Sequence, residues 1–406
     1  GEVIAVETAY ASCVDPEEPN SPLDFCTFCL ARCAAPLPCP ECTNVVFCNE
    51  ECRSNGWRKF HMKECPVYPQ LRKLKFRNIE AYRIIAGQSL DEHRAFVTKF
   101  KKDEKISPLE QILCEDEICD SYSYRSVYFL ENNIKSTDIK GLIACSIRAF
   151  VMTQLMIQSN RYFVNYTEDK NEPDEEDIIF IGSLFIRFLL TISFNSYQII
   201  ETHVRVKEVS LVSEESVGSG IYIAGSLFNH SCFPSAMIFF YGNVGVFRAS
   251  RFIPSGTQVC VCYTEHYSIE PDRAIRRRNL HKAYSFICKC EACLSKCRIS
   301  FSDWKTSLSA YKVPKLKIKS KRVSRNDNES TESLELELKL LITKFSFITL
   351  SLSSPSFDIT NCLDLTLEMI EFFDRFVVVP DPMCIQVTTI FQEIFHQKGS
   401  CYFVNK

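Results

Sequence analysis

The sequence is short of net charge. Its 406 residues carry 47 Lys and Arg against 50 Asp and Glu, a formal charge of -3 at pH 7. Nucleic-acid binding draws on a concentrated basic face, so DNA and RNA are not expected partners. No apolar run approaches the ~20 residues of a bilayer span, and no membrane partner is expected. The opening "GEVIAVETAY" lacks the basic, apolar and small-residue order of a signal peptide, which points to a soluble, intracellular protein. With 46% hydrophobic residues the chain can bury a large core, divided at the usual domain size into about two to four folding units.

What is abundant is cysteine, at 22 residues. In a short secreted chain that would suggest disulfides, but here many fall into close pairs within a long chain, which favours metal. Between residues 26 and 65 the order is Cys26, Cys29, Cys39, Cys42, Cys48, Cys52, His61, Cys65: two CxxC pairs, a CxxxC pair and an HxxxC pair. Eight such ligands make two tetrahedral zinc sites, because short spacings let one turn present two ligands to one ion. The segment is too poor in aliphatic residues to fold on its own core, and structural zinc supplies the missing free energy. Cys33 falls outside the pattern as a spare thiol, and Trp57 is expected to pack against the metal-supported fold.

Around this module the texture changes in steps. "GEVIAVETAY" alternates apolar and polar residues and reads as a strand, followed by the Pro-rich break "PEEPNSP". Residues 67–194 carry apolar residues at helical spacing in "VYPQLRKLKFRNIEAYRII", "KGLIACSIRAFVMTQLMIQ" and "IIFIGSLFIRFLLTISF". The acidic run "TEDKNEPDEEDI" between the last two reads as a solvated loop. From 195 to 264 short strands follow in "YQIIETHVRV", "AMIFFYGNVGVFRASRFI" with a turn at "YGN", and "QVCVCY". The basic tract "KVPKLKIKSKRVSRNDNES" reads as an exposed linker, and helical spacing resumes after it as an array of helical hairpins.

Two further stretches carry chemistry. "YSFICKCEACLSKC" offers Cys288, Cys290 and Cys293, three thiolates that lack a fourth ligand. "SLFNHSCFPSAM" offers Cys232, with His230 two positions before it. On residue type alone Cys232 is a fourth zinc ligand, a nucleophile with His230 as its base, or an inert core thiol. The nucleophile reading requires a third group to orient the base, and no nearby acid supplies one.

The segment "CTFCLARCAAPLPCPECTNVVFCNEECRSNGWRKFHMKEC" resembles a MYND zinc finger. That resemblance implies interleaved ligation, with Cys26, Cys29, Cys48 and Cys52 on one zinc and Cys39, Cys42, His61 and Cys65 on the other. It also implies a module that binds proline-rich partner peptides. "GSLFNHSCFPS", then "QVCVCY", then the CxCxxC segment resemble a SET domain, and the whole chain resembles a divergent member of the SET and MYND domain family of protein lysine methyltransferases.

The family implies an α+β fold. Its expected parts are a first SET segment (1–25), the MYND finger (26–65), a helical insert (66–194), the core SET (195–280), a post-SET zinc segment (281–297), and a linker with a TPR-like helical-hairpin domain (298–406). It implies S-adenosyl-L-methionine as cofactor, three zinc ions, a histone or non-histone lysine substrate, action as a monomer, and residence in cytoplasm and nucleus.

Residue by residue, the resemblance places Cys232 with Cys288, Cys290 and Cys293 on the third zinc. Asn195, Ser226, Asn229, His230 and Phe286 match cofactor contacts, with Phe286 near the adenine. Tyr263 matches the tyrosine at the methyl-transfer centre, and Tyr197, Tyr222 and Tyr284 match walls of the lysine channel. Two departures stand out. Ser235 follows the proline of "NHSCFP" where the family commonly has Asn, and the shorter side chain is expected to lose a hydrogen bond that holds the motif. The family's Gly-rich turn over the cofactor does not precede "GEVIAVE", so the N-terminus reads as truncated. Both departures motivate an alternative expectation, a catalytically weak zinc-dependent scaffold or transcriptional corepressor.

Overall fold

The computed structural model describes residues 1–15, 21–74, 76–100, 122–163, 173–205, 212–264, 266–267, 270, 272–294, 336–337, 340–341, 343–344, 359–376, 387 and 401–404. The strands, in chain order, are β1 (Val3–Thr8), β2 (Ala11–Val14), β3 (Leu37–Pro38), β4 (Val46–Phe47), β5 (Ser196–Arg205), β6 (Val212–Ile221), β7 (Asn229–His230), β8 (Ala236–Tyr241), β9 (Val244–Ala249), β10 (Cys260–Val261) and β11 (Cys401–Val404). The helices that matter to the site are α1 (Phe76–Ala86), α2 (Ile139–Gln158), α3 (Glu175–Asn195), α4 (Arg273–Tyr284) and α5 (Ile359–Phe376).

Small sheets make up the β part: antiparallel β1-β9-β8, a sheet in the order β11-β5-β6-β2, the parallel pair β10-β7, and the β3-β4 hairpin of the finger. β8 and β9 are joined by the two-residue turn Gly242–Asn243, with Gly242 at φ +60°, a value that glycine adopts without a steric penalty. β6 lies between β5 and β2 with "VSEESVGSGI" as its sequence, a poor strand former by composition. Gly218 explains part of that choice, since a Cβ there would stand 2.0 Å from the Cys13 carbonyl oxygen.

The helices form a layer of their own. Ile79, Tyr82, Ile85, Met152, Phe185 and Phe188 are buried in one cluster that joins α1, α2 and α3. Both α2 and α3 have a local start signal: Asp138 accepts from the Gly141 N–H at 2.7 Å and Asp174 from the Asp177 N–H at 2.9 Å.

Four sequence expectations need correction. The acidic run is not wholly a loop, because Glu175, Glu176 and Asp177 form the first turn of α3, where negative charge is favoured by the helix dipole. Asp177 is buried and pairs with Arg94. Two helices, Ile139–Gln158 and Glu175–Asn195, do reach the length and mean hydropathy of a bilayer span. The core cluster they share with α1 is what a buried helical layer also produces. "QVCVCY" is strand only at Cys260–Val261. The helical array expected over 298–406 lies mostly outside the described residues; α5 is described, and Cys401–Val404 is a strand beside β5 rather than helix.

The finger is fastened to the sheets at several points. Arg32 pairs with Glu201, Glu215 and Asp24, and its guanidinium sits 4.5 Å from the centre of the Phe25 ring. Across the β8-β9 turn, Asn243 donates its backbone N–H to the Cys29 carbonyl at 2.8 Å and its side-chain amide to the Phe28 carbonyl at 3.2 Å. A Cβ at Gly242 would lie 2.3 Å from that same Cys29 carbonyl oxygen. Gly242→Ala combines a strained φ with this clash and is expected to cost ~2 kcal/mol or more, read as a lower urea midpoint.

Candidate active site and metal centres

Among the described residues, three groups of four metal-ligating side chains are preformed. They are Cys26, Cys29, Cys48 and Cys52; Cys39, Cys42, His61 and Cys65; and Cys232, Cys288, Cys290 and Cys293, with the ligand atoms of each group within 4.8 Å of one another. Tetrahedral zinc holds thiolates at ~2.3 Å, which sets sulfur-to-sulfur edges near ~3.8 Å. The separations fit: Cys29 to Cys48 3.7 Å, Cys39 to Cys65 3.9 Å, and Cys232 to Cys293 3.6 Å. All of these cysteines are free thiols. Four protein ligands per group leave no open position, the mark of a structural ion rather than a catalytic one.

Local backbone explains how the finger's pairs form. Leu30 and Thr43, each one residue past a CxxC, take left-handed φ values of 58° and 53°. Their N–H groups bond back to the Cys26 and Cys39 carbonyls at 2.8 and 3.0 Å, closing two tight knuckles. Non-glycine residues hold that conformation only where the surroundings over-determine it. Asn49 caps the helix Glu50–Gly56 by accepting from the Cys52 N–H at 2.7 Å, which sets Cys52 in its first turn. Cys33 stands outside both groups, and Trp57 packs edge-on to His61 with ring centres 5.9 Å apart.

The third group joins "NHSC" to the post-SET segment. Cys232 is fully buried and its N–H points to the Cys290 sulfur at 3.4 Å, while the Cys290 N–H points to Cys288 at 3.4 Å. Arg276, buried in α4, donates to the Cys293 sulfur at 3.6 Å and to the Ala292 carbonyl at 3.3 Å. The sequence carries no signal for this arginine beyond its place in a basic helix.

His230 settles the question posed by Cys232. Its Nδ1 accepts the Tyr263 backbone N–H at 3.0 Å, so in the neutral ring the proton sits on Nε2. Burial lowers the His230 pKa to about 4, which keeps the ring neutral. Nε2 lies 3.2 Å from the Cys232 sulfur and therefore donates to it. A ring that donates to the thiol cannot also take its proton, so the nucleophile reading falls.

Beside this group the aromatic side chains converge. Tyr263 and Tyr284 have ring centres 4.9 Å apart, His230 lies 5.3 Å from Tyr263, and Phe286 lies 5.8 Å from His230. α4 ends at Tyr284, and Ser285 at φ 62° reverses the chain so that Tyr284 and Phe286 both join the cluster. The Tyr263 hydroxyl donates to the Phe228 carbonyl at 2.6 Å, and burial raises its pKa to about 12. The half-buried Tyr197 donates to the Gly225 carbonyl at 2.7 Å. Asn195 spends both amide hydrogens, on the Glu131 and Thr191 carbonyls at 2.8 and 2.7 Å. Ser226 donates to the Tyr222 carbonyl at 2.7 Å, and Asn229 is exposed beside the cluster in β7.

Two expectations do not survive. Tyr222 is not a channel wall: it is fully buried among Tyr197, Phe240 and Phe247, with its hydroxyl given to the Asn243 carbonyl at 3.0 Å. Ser235 does not leave its motif untied, because its hydroxyl accepts the Cys260 N–H at 3.0 Å and its own N–H reaches the Cys260 carbonyl at 3.0 Å. Sequence reading also misses Glu7. Its buried carboxylate accepts the N–H groups of Ala224 and Gly225, both at 3.1 Å, and so fixes the turn that leads into "NHSC".

Comparison with known proteins agrees with this arrangement. The MYND finger family model matches residues 26–65 and the SET domain model residues 96–264. "Protein-lysine N-methyltransferase SMYD4" of Homo sapiens is 24% identical over 72% of this chain and 43% of its own length. The Danio rerio protein of the same name is 25% identical over 72% of this chain and 46% of its own length. "Histone-lysine N-methyltransferase SMYD3" of Mus musculus is 26% identical over 66% of this chain and 51% of its own length. The chain thus spans less than half the length of the first two relatives.

Three zinc ions per chain are expected by native mass spectrometry, one for each four-ligand group. Cys232→Ser should leave two ions and a post-SET segment open to protease, whereas Cys33→Ser should leave all three in place.

Proposed function

We propose that this chain, which matches the MYND finger model over residues 26–65 and the SET domain model over residues 96–264, is an S-adenosylmethionine-dependent protein-lysine N-methyltransferase acting on histone or non-histone lysines. The observation that carries this reading is the setting of Tyr263: its hydroxyl is fixed on the Phe228 carbonyl at 2.6 Å inside a group of aromatic rings, directly beside the "NHSC" segment.

A lysine amine has a pKa of ~10.4 and has to lose its proton before it can be methylated. Walls supplied by Tyr197, Tyr263, Tyr284 and Phe286 disfavour the ammonium by removing water from it. Tyr263 stays protonated at neutral pH and acts as a hydrogen-bonding guide rather than a base. With its two hydrogens committed, Asn195 has only its oxygen to offer, and that acceptor suits the ammonium at the amino-acid end of the cofactor. Phe286 presents a face for stacking the adenine. S-Adenosylmethionine, when bound, supplies the electrophilic methyl group. The protein's share is alignment and the exclusion of water, which alone can account for several orders of magnitude in rate.

A MYND finger that takes proline-rich peptides, action as a monomer, and residence in cytoplasm and nucleus belong to the same proposal. Ser235 gives no reason to prefer a scaffold, since it keeps the bonds to Cys260 that hold the motif.

Calorimetry on the zinc-loaded chain should detect S-adenosylmethionine binding. Labelled cofactor on protein arrays should mark lysines, and Tyr263→Phe should lower that signal about a hundredfold or change the number of methyl groups added. A chain that holds its zinc yet binds no cofactor would end the enzyme reading.

A further inference from the structure

The two MYND sites share a partner that belongs to neither. Arg83 on α1 is buried, and all five of its N–H donors are satisfied. Nε and Nη2 grip the Glu64 carboxylate at 3.0 and 2.8 Å. Nη2 also donates to the Thr27 hydroxyl at 2.9 Å, and Nη1 donates to the Thr27 carbonyl at 3.2 Å and the Ser12 carbonyl at 2.6 Å. The guanidinium lies 3.8 Å from the centre of the Phe60 ring.

Each of these contacts leads somewhere definite. Glu64 is fully buried and faces His61 Nδ1 at 3.1 Å, which fixes the tautomer that leaves Nε2 for the metal, 3.4 Å from the Cys42 sulfur. Thr27 sits between Cys26 and Cys29, inside the knuckle of the other site. Ser12 is in β2, at the edge of the sheet that also carries β5 and β6. One guanidinium therefore touches the histidine-containing site through Glu64, the all-cysteine site of the finger through Thr27, and the SET sheet through Ser12.

We propose that Arg83 is a positioning residue that couples both MYND zinc sites to the SET core, so that zinc retention by the finger and its docking on the sheet are one property. The inference rests on zinc filling the three preformed groups and is independent of methyl transfer. It also explains why a buried ion pair is kept here: removing one partner would strand the other charge in the core.

The test is chelator-driven zinc release from the full chain, counted ion by ion with a chromogenic chelator. The third group, Cys232 with Cys288, Cys290 and Cys293, serves as an internal control. In Arg83→Met two ions should leave about tenfold faster or more while the third leaves at the wild-type rate. Glu64→Gln should speed one ion and Thr27→Val the other. Cobalt substitution tells them apart, because a site with an imidazole ligand absorbs differently from a site of four thiolates. Equal acceleration of all three ions would reduce Arg83 to a general stability residue and overturn the proposal, as would two-ion release unchanged from wild type. Should Arg83→Met not fold, the two single-site variants decide: unchanged release from both, or loss of all three ions together from either, overturns it equally.

Discussion

The aromatic cluster around Tyr263 depends on the segment from Phe228 to Ser235 being clamped by chain from elsewhere. Ser231 donates its N–H to the Val261 carbonyl at 2.9 Å, Ser235 exchanges bonds with Cys260, and Tyr267 donates to the Cys232 carbonyl at 3.1 Å. Three thiols, Cys288, Cys290 and Cys293, meet Cys232 of the same stretch from the post-SET side. A two-residue parallel pair such as β7-β10 has little stability alone. Its persistence follows from these outside bonds, and with it the distance between His230, which the clamp carries, and Tyr263, which leaves β10 two residues on. The geometry of the candidate methyl-transfer centre is thus a property of backbone pairing and metal ligation, and only secondarily of side-chain packing.

Electrostatics imposes a second order on the molecule. A zinc ion bound by four thiolates carries net negative charge, and buried charge is tolerated only when paired or hydrogen-bonded. At the third group the compensation comes from Arg276 and from peptide N–H groups aimed at sulfur. In the finger the buried charges are paired with each other, Arg83 with Glu64, and Glu64 in turn faces His61. Burial alone would push the Glu64 carboxyl up, yet Arg83 and His61 outweigh that and hold its pKa down at about 2, so it remains a charged acceptor. These interior arginines are invisible in a net charge of -3, which averages them with the surface.

What can be read from sequence follows the range of the interactions involved. Metal ligands at short spacing, such as Cys26 with Cys29 or Cys288 with Cys290 and Cys293, are local and stand out at once. Helices α2 and α3 announce themselves by period, and the β8-β9 hairpin by its Gly-Asn turn. β6 escapes notice because "VSEESVGSGI" has the composition of a loop; it is a strand because β5 and β2 offer partners on both sides. Glu7 and Arg83 are illegible for the same reason, since their partners lie 217 and 71 residues away in sequence. Glu64, set between His61 and Cys65, is the one missed residue whose spacing could betray a role beside a metal. Tyr222 misleads because resemblance assigns a tyrosine by motif position, while burial decides whether a ring can face a channel.

Helix α1 shows how these levels meet. Every residue from Asn78 to Ala86 is buried, which an ordinary amphipathic surface helix never shows. Ile79, Tyr82 and Ile85 face the helical layer, Arg83 faces the finger and β2, and Glu80 accepts from the Ser196 hydroxyl at 3.1 Å where α3 turns into β5. Ser196 is flanked by Asn195 and Tyr197, two of the residues around the candidate site. The contacts of α1 therefore run from the finger, through Arg83, to the segment that carries Asn195 and Tyr197. One helix thus joins the finger, β2 and the start of β5 through side chains buried in its own length.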